Sequence, residues 1–235
     1  LKRVILKNIK NNNDATTLSI VPFYVYPSIE SVCDDWIYDF QFNDIAFLHS
    51  LTNLQEKNSF KSELLNKAKN RKLVCAIGKQ DKSKGFDDFI TNYINSKSLQ
   101  EEFLFVSGGK ISDVTDELVF QFESIGGVAI NRRITDSELA ALYEISDYVW
   151  ASYSPDYDQS SGVLGRAIQF HKPVIVRENS VALKITQSLS ASYIVNPRSA
   201  DALFHKLSYF NETDSSVLDL LKSNTDKLMC VLNTN

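Results

Sequence analysis

The stretch that decides the fold is Tyr148–Val176, YVWASYSPDYDQSSGVLGRAIQFHKPVIV. Two short apolar runs, Tyr148–Ala151 and Val174–Val176, lie at its ends, and a polar loop and a helical pattern lie between them. The apolar residues of that pattern recur as on one helix face: Val163, Leu164, Ala167 and Ile168. Since parallel neighbours need a crossover connection, this order predicts two parallel strands joined by a helix.

The same alternation fills the chain from residue 72 onward. Four further runs have the apolar, β-branched and aromatic character of buried parallel strands: Leu73–Ile77, Phe103–Val106, Val128–Ile130 and Tyr193–Val195. A capping box at Thr135–Glu138 starts one of the intervening helices. The sequence therefore predicts the α/β class, with a Rossmann-like doubly wound parallel sheet over residues 72–235.

The first 71 residues have a different pattern, which is too short for a second domain of this type. We expect strands at Val4–Ile9, Leu18–Tyr26 and Ile45–Leu48, and helices at Cys33–Phe40 and Phe60–Lys69. We therefore treat residues 1–71 as an N-terminal appendage, or as the remnant of a larger partner domain.

Composition excludes several classes of protein. The net charge of −4 argues against broad nucleic-acid binding, and no apolar run reaches the length of about 20 residues that spans a bilayer. The three cysteines are far apart and contain no CxxC pair, so neither a disulfide framework nor a metal site is predicted. Cys75 lies in a strand pattern and is expected to be a buried thiol. We expect a reduced, cytoplasmic protein.

Ligands of open parallel sheets bind at the carboxyl ends of the strands. The first candidate loop, 78–86, follows a predicted strand and combines Gly78 and Gly85 with Lys79, Lys82 and Lys84. Glycines permit a close backbone approach, and the ammonium groups suit a diphosphate. A solvated basic loop is the alternative interpretation.

The second candidate loop, 152–163, leads into the helix of the opening stretch. Ser160 or Ser161 is a natural N-cap, and Gly162 leaves the amides of the first turn open to an anion. Gly165 costs roughly 1 kcal/mol against alanine inside a helix, so close packing or ligand approach is its expected reason. Arg166 either faces solvent or contacts the ligand.

A third candidate is Arg132, which follows the predicted strand Val128–Ile130. At the ligand edge of the sheet its guanidinium can contact a base or a phosphate, or it can pair with a surface carboxylate. The sequence leaves both interpretations open.

Together these loops resemble the C-terminal domain of retaining GT-B glycosyltransferases of the "glycosyl transferases group 1" family. The matching landmarks stand in the family's order: Gly78-Lys79, Lys84-Gly85-Phe86, Ile134–Leu139 with Leu142-Tyr143, Ser146–Trp150, Ser152–Gly162 and Lys172–Val176. The resemblance covers about residues 72–205. It implies a nucleotide-diphosphate sugar as donor, most often linked to uridine or guanosine.

The resemblance also assigns roles to individual residues. It implies a basic pair on the diphosphate, at Lys79 and Lys84, and helix-start amides of Ser160, Ser161 and Gly162 on the distal phosphate. The predicted donor-binding set is Gly78, Lys79, Lys84, Arg132, Ser160, Ser161, Gly162, Val163 and Arg166. The predicted catalytic residues are Lys84 and Asp158, and neither a metal nor a cofactor is expected.

Four positions depart from the family's pattern. Lys79 stands where arginine is usual and lacks the bidentate fork. The family's two glutamates fall on Asp158 and Arg166, and an arginine cannot accept hydrogen bonds from ribose hydroxyls, although it can hold a phosphate or pair with Asp158. His171 replaces a usual glycine, and we interpret it as structural.

The resemblance predicts transfer of a hexose, with retention, to a glycan, lipid-linked or protein acceptor, as in polysaccharide biosynthesis. The resemblance implies an acceptor domain outside this sequence, and a peripheral membrane association would come through it. The alternative is a non-catalytic glycosyltransferase-like module that binds a partner subunit. A free-standing sugar- or phosphate-binding protein is a third possibility that rests on the fold alone.

Overall fold

The computed structural model describes residues 7–10, 16–197 and 199–210. Its strands are β1 (Leu18–Ser19), β2 (Asp35–Trp36), β3 (Lys72–Ile77), β4 (Phe103–Gly108), β5 (Val128–Ile130), β6 (Tyr148–Ala151), β7 (Val174–Val176) and β8 (Tyr193–Val195). Its α-helices are α1 (Ile45–Ser50), α2 (Leu54–Ala68), α3 (Phe86–Ile94), α4 (Lys97–Glu102), α5 (Asp116–Ser124), α6 (Asp136–Ile145), α7 (Gly162–Gln169), α8 (Val181–Ser188) and α9 (Ala200–Ser208).

The main sheet confirms the predicted fold class. Six strands pair in parallel in the order β5-β4-β3-β6-β7-β8. The order of strands reverses between β3 and β6, which is where ligands of doubly wound sheets bind. All six predicted strands are present. A sheet that helices cover on both faces needs strands that are apolar on both faces, and these six runs have that character.

Helices cover both faces of this sheet. On one face, α2, α6, α7 and α8 pack against side chains such as Ile77 and Val106. On the other face, α3, α4, α5 and α9 surround a cluster of aromatic rings that includes Phe89, Phe105 and Trp150. This aromatic cluster supports the start of α3, directly after the first candidate loop.

Predictions for the first 50 residues were mostly wrong. The expected strand Leu18–Tyr26 is a strand only at Leu18–Ser19, and the expected helix Cys33–Phe40 contains β2 instead. The expected strand Ile45–Leu48 lies in α1. Of the expected strand Val4–Ile9, residues 7–9 are helical and the rest lies outside the described residues. Short apolar runs suit a strand or a buried helix turn equally, and here tertiary packing decides.

The predicted helix Phe60–Lys69 is confirmed as part of α2, which starts earlier. Asn53 caps α2 by accepting hydrogen bonds from the amides of Gln55 and Glu56 at 3.0 and 3.1 Å. Phe60, Leu64 and Ala68 form its buried face and belong to the same hydrophobic cluster as the sheet. The domain boundary at residue 72 stays a prediction.

Both cysteines in the described part of the chain are buried. Cys33 and Cys75 are free and buried, and burial raises the pKa of Cys75 to about 12. Cys230 lies outside the described residues. Among the described helices, none combines the length and the apolar character needed to cross a bilayer.

Candidate functional site

The glycine loops after β3 and β4 meet the start of α7 where the strand order reverses. A Cβ on Gly109, at φ +145°, would lie 1.9 Å from the carbonyl oxygen of Gly78. The Gly78 amide donates to the Gly108 carbonyl at 2.9 Å. A Cβ on Gly78, at φ +88°, would lie 3.9 Å from Val163. The set of donor-binding residues predicted from the sequence contains Gly78 and Val163 but not Gly109. The sequence signal for Gly109 was its position just after a predicted strand.

The loop after β3 is organised by one of its own carboxylates. Asp81 accepts hydrogen bonds from the Lys84 amide at 3.1 Å and from the Ser83 hydroxyl at 2.5 Å. Its other oxygen lies 3.0 Å from Nζ of Lys79, whose side chain is 61% exposed. Although burial acts in the opposite direction, these partners lower the pKa of Asp81. Lys79 is therefore held at the surface of the loop and remains accessible to a ligand.

Lys84 lies between two tyrosine rings. Its Nζ is 3.8 Å from the ring centroid of Tyr157 and 4.3 Å from that of Tyr153. Burial favours the neutral phenol of Tyr157, but the hydrogen bond and charge of Lys84 outweigh it and lower the pKa of Tyr157. Cation–π contacts of this kind orient an ammonium group. Sequence reasoning missed both tyrosines, because their spacing in a loop carries no recognisable signal.

The start of α7 lacks a side-chain cap. Ser161 occupies the predicted N-cap position, but its hydroxyl bonds to the Tyr153 hydroxyl at 2.7 Å and makes no capping hydrogen bond. Ser160 is buried, and its hydroxyl has no hydrogen-bond partner within the described part of the chain. The first-turn amides of α7 therefore have no side-chain acceptor, as an anion site requires.

A distant segment lies over this helix. Asp39–Ile45 contains a 3₁₀ turn at Phe40–Phe42; we call residues 39–45 the cover segment. A Cβ on Gly162 would lie 1.2 Å from Oε1 of Gln41, and a Cβ on Gly165 would lie 2.4 Å from the Phe42 ring. The expected close packing at Gly165 is thus observed, and its partner is the chain's own Phe42.

Polar contacts fix the cover segment at the same helix. Nε of Arg166 lies 3.0 and 3.2 Å from the two carboxylate oxygens of Asp44, and Asp44 is buried. Although burial opposes it, the Asp44 carboxylate raises the pKa of Arg166. Gln169 donates to the Gln41 carbonyl at 2.8 Å and accepts from the Ile45 amide at 3.0 Å. Arg166 therefore anchors the cover segment.

Asp158 has different partners from those considered in the sequence analysis. Its carboxylate accepts from Arg177 at 3.0 Å and from the Val181 amide at 2.9 Å, which places it at the start of α8. The suggested pairing of Asp158 with Arg166 is not formed, because Asp44 takes Arg166. Asp158 remains 36% exposed.

Arg132 pairs with a carboxylate, which is one of the two interpretations that the sequence left open. Its two terminal nitrogens lie 2.7 and 2.5 Å from the carboxylate oxygens of Glu138. Glu138 also completes the predicted capping box with Thr135. The hydrogen bond from Arg132 lowers the pKa of Glu138. Half of the Arg132 side chain stays exposed.

His171 directly follows the last turn of α7. Its φ of +54° lies in the left-handed region, which explains why a glycine is usual at this position. Its amide donates to the Ile168 carbonyl at 3.0 Å. These facts agree with a structural role.

A polar cavity of about 560 Å³ lies beside the candidate site, at the ends of β6, β7 and β8. Gly85 and Tyr153 belong to its lining, whereas Gly78 and α7 do not. The cavity lining carries charges of both signs, since Lys82 and Arg177 lie there together with Asp87, Asp88 and Glu178. In the described part of the chain, no group of three His, Cys, Asp or Glu side chains could hold a metal ion.

No protein-family model matches the chain, and no curated protein sequence matches it. Solved structures do match. An α,α-trehalose-phosphate synthase (UDP-forming) from Burkholderia xenovorans, in complex with glucose-6-phosphate, aligns with a TM-score of 0.58 and 16% identity. The alignment covers 85% of this chain and 51% of the synthase.

Two further structures are similar. The synthase of the same name from Burkholderia vietnamiensis aligns with a TM-score of 0.52 and 16% identity, over 77% of this chain and 50% of its own. The C-terminal domain of a glycosyl transferase group 1 family protein from Francisella tularensis aligns with a TM-score of 0.49 and 17% identity, over 68% and 85%. The chain spans about half the length of the two synthases. The two synthase alignments, with TM-scores above 0.5, show that the six-stranded domain shares their fold, in agreement with the Rossmann-like GT-B fold predicted from the sequence.

Proposed function

We propose that this chain binds the nucleotide-diphosphate sugar donor of a glycosyltransferase. The observation that carries the proposal is the meeting of three elements at the reversal of strand order. These are the Gly78 loop, the ammonium group of Lys84 and the uncapped start of α7. Backbone amides, a helix dipole and lysines together suit a diphosphate.

The proposed chemistry is hexosyl transfer with retention. The bond between the anomeric carbon and the diphosphate oxygen breaks, a bond to an acceptor hydroxyl oxygen forms, and the hydroxyl proton passes to the leaving diphosphate. Lys84, Lys79 and the α7 amides would stabilise the charge on the leaving diphosphate. Asp158, which is partly exposed, would contact sugar hydroxyls. A glycan, lipid-linked or protein acceptor would bind outside this chain, since the chain spans about half of the matched synthases.

The proposed setting is a cytoplasmic enzyme of polysaccharide biosynthesis. Uridine and guanosine diphosphates are the donors that the sequence resemblance favours. Because lysines and amides supply the positive potential, the proposal needs neither a metal nor a cofactor.

A second candidate function is a non-catalytic module that binds a partner subunit. The observation that favours it is the use of Arg166 and Gly162 to hold the chain's own cover segment. In such a module the start of α7 would serve only for packing against the cover segment and would bind no donor.

Isothermal titration calorimetry with UDP and GDP tests the proposal. We expect one nucleotide to bind with a Kd between micromolar and sub-millimolar. We expect Lys84→Ala to weaken this binding at least about tenfold, equal to about 1.4 kcal/mol. Lys97→Ala is the matched control, because Lys97 is 86% exposed on α4 and should leave the affinity unchanged. Equal loss in both variants would indicate only a general effect of charge.

A further inference from the structure

We infer that Tyr153 is a positioning residue for the donor diphosphate: its ring holds Lys84, and its hydroxyl keeps the Ser161 hydroxyl from capping α7. This inference rests on the proposed function, and it names the residue that joins the two halves of the phosphate site. Tyr153 acts through its two neighbours and need not touch the ligand itself.

The first argument is that Tyr153 is firmly held in the fold. It is 6% exposed, and its backbone carbonyl accepts from Nε of Arg177 at 3.0 Å. Its ring packs edge-on against the ring of Tyr157, with the two centroids 5.6 Å apart. A buried side chain in such contacts has little freedom to change rotamer, so it can fix the groups that it touches.

The second argument concerns the hydroxyl of Tyr153. Ser161 has the extended backbone of an N-cap residue, with φ −142° and ψ 128°. A serine in this place ordinarily accepts from a first-turn amide, as Ser180 does from the Leu183 amide at 3.0 Å at the start of α8. The Ser161 hydroxyl instead bonds to the Tyr153 hydroxyl at 2.7 Å and makes no capping hydrogen bond. Tyr153 therefore takes the group that would otherwise cap α7.

The third argument concerns what this leaves at the helix start. A serine cap would bind the amides of Val163 and Leu164, the second and third residues of α7, and a phosphate oxygen would bind the same donors. A capping hydroxyl and a phosphate therefore compete. The adjacent Ser160 is 7% exposed, and its hydroxyl has no hydrogen-bond partner in the part of the chain that the structure describes. The helix start thus holds polar groups that a phosphate can satisfy.

The fourth argument concerns the ring of Tyr153. Its centroid lies 4.3 Å from Nζ of Lys84, while its hydroxyl bonds to Ser161. One rigid side chain thus links the ammonium group of the loop after β3 to the N-cap of α7. Groups that are held in place before a ligand arrives bind it without the cost of ordering them. Tyr153 therefore keeps the two anion-binding elements at a fixed separation.

Calorimetric titration of two variants tests the inference. Tyr153→Phe keeps the ring and frees Ser161 to cap α7, so we expect the affinity for UDP or GDP, whichever the native chain binds, to fall about three- to tenfold. The affinity for the matching monophosphate, which lacks the distal phosphate, should stay nearly unchanged. Adding Ser161→Ala removes the competing cap, so the double variant should regain the native affinity for the diphosphate. Damage to the fold would weaken both ligands, and the second substitution would not reverse it.

Amide hydrogen exchange tests the capping step without any ligand. The Val163 and Leu164 amides should exchange more slowly in Tyr153→Phe than in the native chain, because Ser161 then accepts from them. In the double variant they should exchange as fast as in the native chain. Tyr148→Phe is the matched control, since Tyr148 is also buried on β6 and its hydroxyl donates to the Leu207 carbonyl at 2.8 Å. It should change neither the exchange at α7 nor the nucleotide affinity.

The outcomes separate the two proposals. If Tyr153→Phe binds the diphosphate as well as the native chain does, or if Ser161→Ala fails to restore binding, the inference is refuted while the donor site stands. If the native chain binds neither UDP nor GDP, the proposed function is refuted. Exchange then decides whether Tyr153 prevents capping, and equal exchange in Tyr153→Phe and the native chain refutes that as well.

Discussion

The loop after β3 and the start of α7 lie at the same edge of the sheet, but they are built in different ways. The loop is ordered by its own Asp81 and by backbone at the ends of neighbouring strands, since Gly78 packs on Gly109 after β4. The start of α7 is completed by a segment more than 120 positions away. Backbone contacts between strand ends thus hold the basic loop, whereas side chains of a segment distant in sequence pack on α7.

Substitution of alanine for a glycine in each region should give the largest difference in stability between them. A Cβ on Gly109 meets backbone, 1.9 Å from the Gly78 carbonyl oxygen, and its φ of +145° disfavours any side chain. We expect Gly109→Ala to lower the free energy of unfolding by about 3 kcal/mol, because both strain and overlap act on rigid atoms. Urea denaturation measures this loss.

The matched variant at the other region is Gly162→Ala. Its Cβ meets the end of the flexible Gln41 side chain, which can turn away, so we expect a change within about 0.5 kcal/mol. Similar losses in the two variants would show that the α7 contact is as rigid as the loop, and would contradict the comparison.

Breaking the ion pair of the cover segment should have the next largest effect. Asp44→Ala leaves Arg166, which is 20% exposed, without its carboxylate, and we expect a loss of about 2–3 kcal/mol in unfolding free energy. Arg177→Ala removes the partner of the more exposed Asp158 and should cost about 1 kcal/mol or less. Equal losses would mean that the cover segment contributes little to the stability of the folded state.

The smallest expected effect is the response of the loop to acid. The pKa of Asp81 is lowered in the folded state, so its contribution to stability is present above the ordinary value of 3.8 and is lost as pH falls through the folded pKa. We expect amide exchange at residues 82–86, corrected for intrinsic rates, to accelerate as pH falls below that value. Asp81→Asn should already exchange fast at pH 6 and show little further change.

The sequence predicted the sheet because its signals are local. The six strands are apolar on both faces, as at Val174–Val176, and the capping box at Thr135–Glu138 needs only four consecutive residues. The loop after β3 was predicted for the same reason. Gly78 and Lys84 follow a strand directly, so its position at the sheet edge fixes theirs.

The features that could not be predicted from the sequence depend on contacts between residues that are distant along the chain. Nothing near Ile45–Leu48 distinguishes a strand from the helix turn that buries Leu48. Nor does the sequence around Arg166 indicate Asp44, which lies 122 positions earlier. The role of Gly165 could be predicted only in part. A glycine inside a helix indicated a close approach, but the sequence did not indicate that Phe42 is the partner.

The distance along the chain between the cover segment and α7 also has a consequence for biosynthesis. Translation at about 5–20 residues per second separates Asp44 from Arg166 by roughly 6–24 seconds. During that interval the segment has no helix on which to dock, although Phe42 can already stack on Tyr38. The growing chain can therefore pair β3 with β4 before the cover segment reaches α7.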